Sequence, residues 1–149
     1  MLGRKTYTPE ELDHARTVIN QTLGAYKELA EAVDATSDVE ARSALEALEP
    51  LFFNNMTLVL DRYFVHRLRV VTGKDGNPLN EVELISDSLM NHDGVLHGNN
   101  VIKLVPEDSV LKLELREGIG VSAAQFERLS KAFFAEIESK FMEKEAVAR

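Results

Sequence analysis

The chain of 149 residues contains no cysteine. That absence excludes a disulfide framework, a thiolate metal site, an iron–sulfur cluster and a cysteine nucleophile. Long apolar runs are missing too. No stretch approaches the roughly 18 uninterrupted apolar residues that a membrane span needs, and the opening MLGRKTYTPEELDHA lacks the apolar centre of a secretion signal. The expected location is the cytoplasm, with no membrane contact. Positive charge is scarce as well: 17 Lys and Arg stand against 25 Asp and Glu, a net charge of −8. Duplex binding requires several cations gathered on one face, so nucleic acid is not an expected partner.

What is present is ordinary globular composition, 44% apolar and 28% charged. A chain of this length buries about two-thirds of its unfolded surface in one core. It reads as a single domain, 1–149, with a flexible tail over 1–7 and fraying over 144–149. Charge is distributed unevenly. Residues 1–50 carry five cations against ten anions and residues 76–149 carry eight against thirteen, whereas residues 61–75 carry four against two. The cationic stretch, DRYFVHRLRVVTGKD, therefore stands apart from an acidic remainder.

Helix signals recur along the chain. Thr8 precedes Pro9, and Glu11 follows three residues after Thr8, the spacing of a capping box at a helix start. Leu12, Ala15, Ile19, Leu23, Tyr26, Ala30 and Val33 then form one stripe at helical intervals. Ser37 and Glu40 give a second box, and Pro50 is expected to stop or kink the helix that follows. From Leu51 apolar residues occupy nearly every direction, as in a core helix running to about Arg69. Residues 64–71 also alternate in the manner of a strand. Gly73-Lys74-Asp75-Gly76-Asn77-Pro78 is a turn, and Asn80 with Glu83 signals a short helix ending before Gly94. Val101–Val105 and the alternation of Leu111, Leu113 and Leu115 have the period of strands. Ser122 with Gln125 then opens a long amphipathic helix through Phe126, Leu129, Phe133, Ile137 and Phe141. The expected fold is α+β and mainly helical, four to five helices with a small β-hairpin or sheet between residues 101 and 121.

The run FVHRLR from Phe64, GKDGNPLNEVEL from Gly73, SLM at Ser88, IKL at Ile102, SVL at Ser109 and AFFAEIESKF at the end resemble a family of short uncharacterised bacterial proteins. The resemblance spans roughly Pro50 to Phe141, its most specific piece being the turn. It implies no activity, cofactor or substrate.

The candidate site is a small-anion pocket. Arg62, His66 and Arg69 are spaced four and three apart and share one helix face, Lys74 lies in the turn, and Asn77 and Asn80 open the next helix; N–H groups of the Gly73–Gly76 turn, or of the helix start near Asn80, are expected to complete a cradle. The bland reading is that these cations pair with carboxylates and that the glycines only make the turn. The P-loop spacing is absent. A metal held by His66, His92 and His97 with Asp61, Asp75 or Asp93 matches no ligand spacing, and no cofactor or metal is expected. No glycine-flanked serine elbow surrounds Ser86 or Ser88. The aromatic residues at helical spacing read as core. Surplus apolar surface on the 51–71 helix and the C-terminal helix points to a homodimer interface on one of these faces. The leading expectation is a non-enzymatic binding or interaction protein using the 62–83 segment. The alternative is an enzyme acting on a small anionic metabolite through that segment.

Overall fold

A computed structural model describes residues 6–64 and 73–141. Four helices hold the core: α1 (Pro9–Thr36), α2 (Val39–Arg62), α3 (Pro78–Asn91) and α4 (Ala123–Phe141). Helices α2 and α4 pack on each other, and α1 and α3 each pack on both.

The start of α1 follows from its capping box. The Glu11 N–H donates to Thr8 Oγ1 and the Thr8 N–H donates to the Glu11 carboxylate, both at 3.1 Å, with Pro9 as the first helical residue. Leu12, Ala15, Ile19, Leu23 and Tyr26 are its buried stripe. The box expected at Ser37 and Glu40 does not form. Ser37 takes a left-handed φ of 57° to close α1, so the neighbouring Asp38 caps α2, accepting from the N–H groups of Glu40 and Ala41.

Pro50, expected to stop or kink the helix, does not stop it and lies inside α2. A proline there removes one helical hydrogen bond and costs about 3 kcal/mol relative to alanine. Tertiary bonds on both sides of it offset that loss. Glu49 accepts from the Ala123 N–H at 2.8 Å, and Asn54 accepts from the Val121 N–H and donates to the Ile119 carbonyl, each at 3.0 Å. α2 ends at Arg62, short of the expected Arg69, with its last turn tightened by i→i−3 bonds from Tyr63 and Phe64. The helix-or-strand question over 64–71 falls largely on residues outside the described ones.

Phe53 sits at the centre, fully buried, its ring 4.8 Å from Tyr26 and 5.4 Å from Phe126. Phe64 packs edge-on against Phe133 and Phe141 at the opposite end. The aromatic residues of α4 are thus core.

The expected β-hairpin between 101 and 121 is not formed. Among the described residues there is no strand, and the connection from α3 to α4 has an isolated antiparallel bridge between Val95 and Gly118 and a 3-10 turn at Pro106–Asp108. The fold is helical rather than α+β. The reason lies in where the backbone N–H groups go. Those of Val110 and Leu111 donate to Glu81, that of Lys112 to Ser109 Oγ, and those of Val101 and Ile102 to Asn99 Oδ1. Side chains satisfy this backbone, leaving little for a ladder. Lys112 and Arg116 also take left-handed φ values of 55° and 71°, which break the extended path that the leucine alternation suggests.

Pro50→Ala is expected to raise the unfolding free energy by about 1–3 kcal/mol, since the ring's helix penalty disappears while the Cβ on the Gly120 side is kept. Guanidinium denaturation checks this. A fall in stability would mean that the ring, rather than the side-chain bonds of Glu49 and Asn54, secures this part of α2.

Candidate functional site

The turn before α3 is organised by two asparagines. Asn77, not Asn80, caps the helix: its Oδ1 accepts from the N–H groups of Leu79 and Asn80 at 2.9 and 3.1 Å, and its Nδ2 donates to Asp75. Asn80 lies within the first turn of α3 and is fully buried. Its Oδ1 accepts from the Gly76 N–H and its Nδ2 donates to the Gly73 carbonyl, both at 3.0 Å. Of the N–H groups expected to complete an anion cradle, those of Gly76, Leu79 and Asn80 are therefore already bonded to this turn's own side chains.

Arg62 is exposed at the end of α2 and Lys74 is exposed in the turn, while His66 and Arg69 lie outside the described residues. The Lys74 carbonyl accepts from the Lys103 N–H at 2.7 Å, which pins the turn against the loop after α3. Gly76 is required at this contact. Its φ is +81°, and a Cβ would stand 2.4 Å from the Lys103 carbonyl oxygen.

Next to Asn80 is a residue that sequence reasoning passed over. Glu81 is 3% exposed, and its two carboxylate oxygens accept from the N–H groups of Val110 and Leu111 at 2.8 and 2.9 Å. Burial, the larger cause, raises its pKa, while the Leu111 and Val110 bonds and the Lys112 charge pull it down. The cavity beside it measures about 10 Å³, room for at most one water, and is lined by Ile85, Leu96 and Leu104 among others. Nothing in the run NEVEL distinguishes Glu81 from an exposed helix glutamate. The only signal is its place in the helix, one turn before the buried Ile85.

His92 and His97, read as separate loop residues, stack with ring centroids 4.2 Å apart. His97 Nδ1 lies 2.9 Å from the Val95 carbonyl, and His92 Nε2 lies 3.4 Å from Asp87. Among the described residues no three metal-binding side chains converge.

One concavity of about 420 Å³ lies along α3, lined by Asp61, Glu83, Asp87 and Asn91 among others, and two more lie on the α1–α2 hairpin. One groove of about 410 Å³ is lined by Gln21, Ala25, Leu29, Leu48 and Phe52 and is mostly apolar. A second, of about 490 Å³, lies nearer the start of α4 and is ringed by Glu31, Asp34, Glu46 and Glu49. Asp34 there is bound to Arg42 at 3.1 Å, and Lys27 is drawn off to Glu127 at 2.8 Å. Tyr26 stands between the two grooves, and its hydroxyl pKa is raised by burial first and by nearby Glu49 second.

The outward stripe bordering the apolar groove runs Val18, Gln21, Ala25, Leu29 on α1 and Leu48, Leu51, Asn55, Val59 on α2, each at spacings of three, four and four. Leu29, Leu48, Leu51 and Val59 are 48%, 42%, 64% and 42% exposed. This surface is also free of charge: residues 17–26 and 50–60 contain no ionisable acid or base other than Tyr26. Leu29 and Leu51 fall off the core stripes of their helices, and that misplacement was the sequence signal for the face.

No family model, no curated protein and no solved structure matches this chain.

Two tests follow from the turn and its neighbour. Gly76→Ala is expected to cost about 2–4 kcal/mol of stability, through backbone strain plus the carbonyl clash, whereas Gly73→Ala, whose nearest atoms would be 3.5 Å away, costs only the strain of about 1–2 kcal/mol. Equal losses in denaturant titrations would remove the packing argument. For Glu81, the folded protein holds its proton at a pH where the unfolded chain, with its value near 4.5, has lost it. Its contribution is therefore fully present below that pH and declines as pH rises through the folded value. The stability of the native protein relative to Glu81→Gln is expected to increase on going from about pH 7 to about pH 5. Hydrogen exchange at Val110 and Leu111 is expected to accelerate in Glu81→Ala.

Proposed function

We propose that this chain is a non-enzymatic interaction protein that docks another folded polypeptide on the outward face of the α1–α2 hairpin. The observation that carries this reading is the uncharged stripe of exposed leucines. In a chain that is 28% charged, a two-helix face without charge that exposes Leu29, Leu48 and Leu51 has the composition of an interface centre rather than of a solvated surface. The groove between Leu29, Leu48 and Phe52 supplies relief into which a partner's side chain fits.

The 62–83 segment supports an anionic metabolite less well. The Asn77 and Asn80 amides hold the turn and the helix start, and the buried Glu81 carboxylate faces a space too small for a substrate. The open concavity of about 420 Å³ along α3 is lined by the carboxylates of Asp61, Glu83 and Asp87, which repel an anion.

At about 0.1 µM protein, dilute enough for weak complexes to dissociate by mass action, bis-ANS is expected to bind the native chain with enhanced fluorescence. That signal should vanish in Leu48→Glu at unchanged melting temperature, because Leu48 is partly exposed. A native protein that leaves the dye dark would overturn the reading.

A further inference from the structure

The outward face of the α1–α2 hairpin has a pattern of charge that identifies its occupant. Leu51, 64% exposed, is the midpoint of the α2 stripe. Eleven residues before it stands Glu40 and eleven after it stands Arg62, both exposed. Eleven residues are close to three turns of helix, so all three side chains project from one side. Neither Glu40 nor Arg62 forms a salt bridge among the described residues. Between them the exposed positions on that side of α2, Ala44, Ala47, Leu48, Leu51, Asn55 and Val59, carry no charge, while the exposed Arg42 and Glu46 lie toward Asp34 and the second groove. The face therefore reads acid, neutral, base from one end to the other.

A face of that design is complementary to itself when turned end for end. Resting on the docking reading above, we infer that the occupant is a second copy of this chain, paired about a two-fold axis through Leu51 with the two α2 helices antiparallel. In an isologous interface each residue meets the one equally far on the other side of the axis. Arg62 of each copy then stands opposite the partner's Glu40, twice over, and the uncharged middle closes on itself. Two chains of net charge −8 repel across most of their surfaces, and this neutral strip is where that repulsion is weakest. The available area suffices. α2, with 24 residues, is about 36 Å long, and two adjacent helices are about 20 Å wide, which gives roughly 700 Å² per copy against the roughly 800 Å² of a standard interface. C-terminal helix α4 offers no rival face of this kind, because Phe126, Leu129, Phe133, Phe134, Ile137 and Phe141 are buried in its own core.

The test is charge reversal read by analytical ultracentrifugation. The native chain is expected to sediment at twice 16.7 kDa at high concentration and to dissociate on dilution. Arg62→Glu and Glu40→Arg are each expected to weaken the dimer about tenfold or more, and the double variant to restore affinity to within about threefold of native. Since the chain has no cysteine, a lone Leu51→Cys is expected to cross-link with bismaleimidoethane, which bridges helices packed about 8–10 Å apart, while Met90→Cys, 68% exposed on α3, does not. A monomer at all concentrations up to about 200 µM, a dimer that survives both single reversals, or a double variant no better than the singles overturns the pairing. A monomer that binds bis-ANS through Leu48 would leave the docking reading standing with a different partner. One that binds no dye would remove both.

Discussion

Every buried N–H must find an acceptor, and in this protein the long connection between α3 and α4 has no ladder to supply them. The Glu81 carboxylate is the centre of the solution. Two oxygens held inside the core take the N–H groups of Val110 and Leu111, and the cost of burying that carboxylate is offset in part by those two bonds and by Lys112 nearby. Asn54 does the equivalent from α2 for Ile119 and Val121, and Asn80 does it for Gly73 and Gly76. Each amide presents a donor and an acceptor to one stretch of loop, as a neighbouring strand would.

This arrangement explains which parts of the structure were legible beforehand. Helix starts at Thr8 and Ser122 could be read because a capping box is a local device, closed within four residues: Ser122 Oγ takes the Gln125 N–H while Gln125 takes the Ser122 N–H. The core stripes of α1 and α4 could be read because burial imposes a period on a helix. The loop could not. Leucines at 111, 113 and 115 alternate as in a strand, but whether their backbone meets another strand or a glutamate thirty residues earlier is a question of partners, and periodicity contains no information about partners. Pro50 misled for the same reason, since the bonds of Glu49 and Asn54 that hold α2 together around it are long-range. The cationic segment stood out in composition, but the two asparagines expected to complete its site, Asn77 and Asn80, bond local backbone instead, and Arg62 is exposed at the end of a different helix.

Charge is organised on a larger scale than pairs. The visible ion pairs, Arg16 with Glu138 at 2.6 Å and Lys27 with Glu127 at 2.8 Å, tie α1 to α4 on exposed surface, where each contributes little to stability. More informative is where charge has been left out. A helix surface facing only water gains solubility from charged residues, so within 50–60 the exposed, uncharged Leu51, Asn55 and Val59 are the positions on which the docking proposal rests. The same stretch contains Pro50, whose helix penalty is tolerated because the buried side of α2 is anchored independently.

The first turn of α3 has a mechanical consequence. Asn77, Asn80 and Glu81 occupy one helical turn, yet between them they fasten the loop that enters the helix and a loop thirty residues downstream. Unwinding that single turn would release both connections together, so the region behaves as one cooperative opening unit rather than as two loops that fray separately.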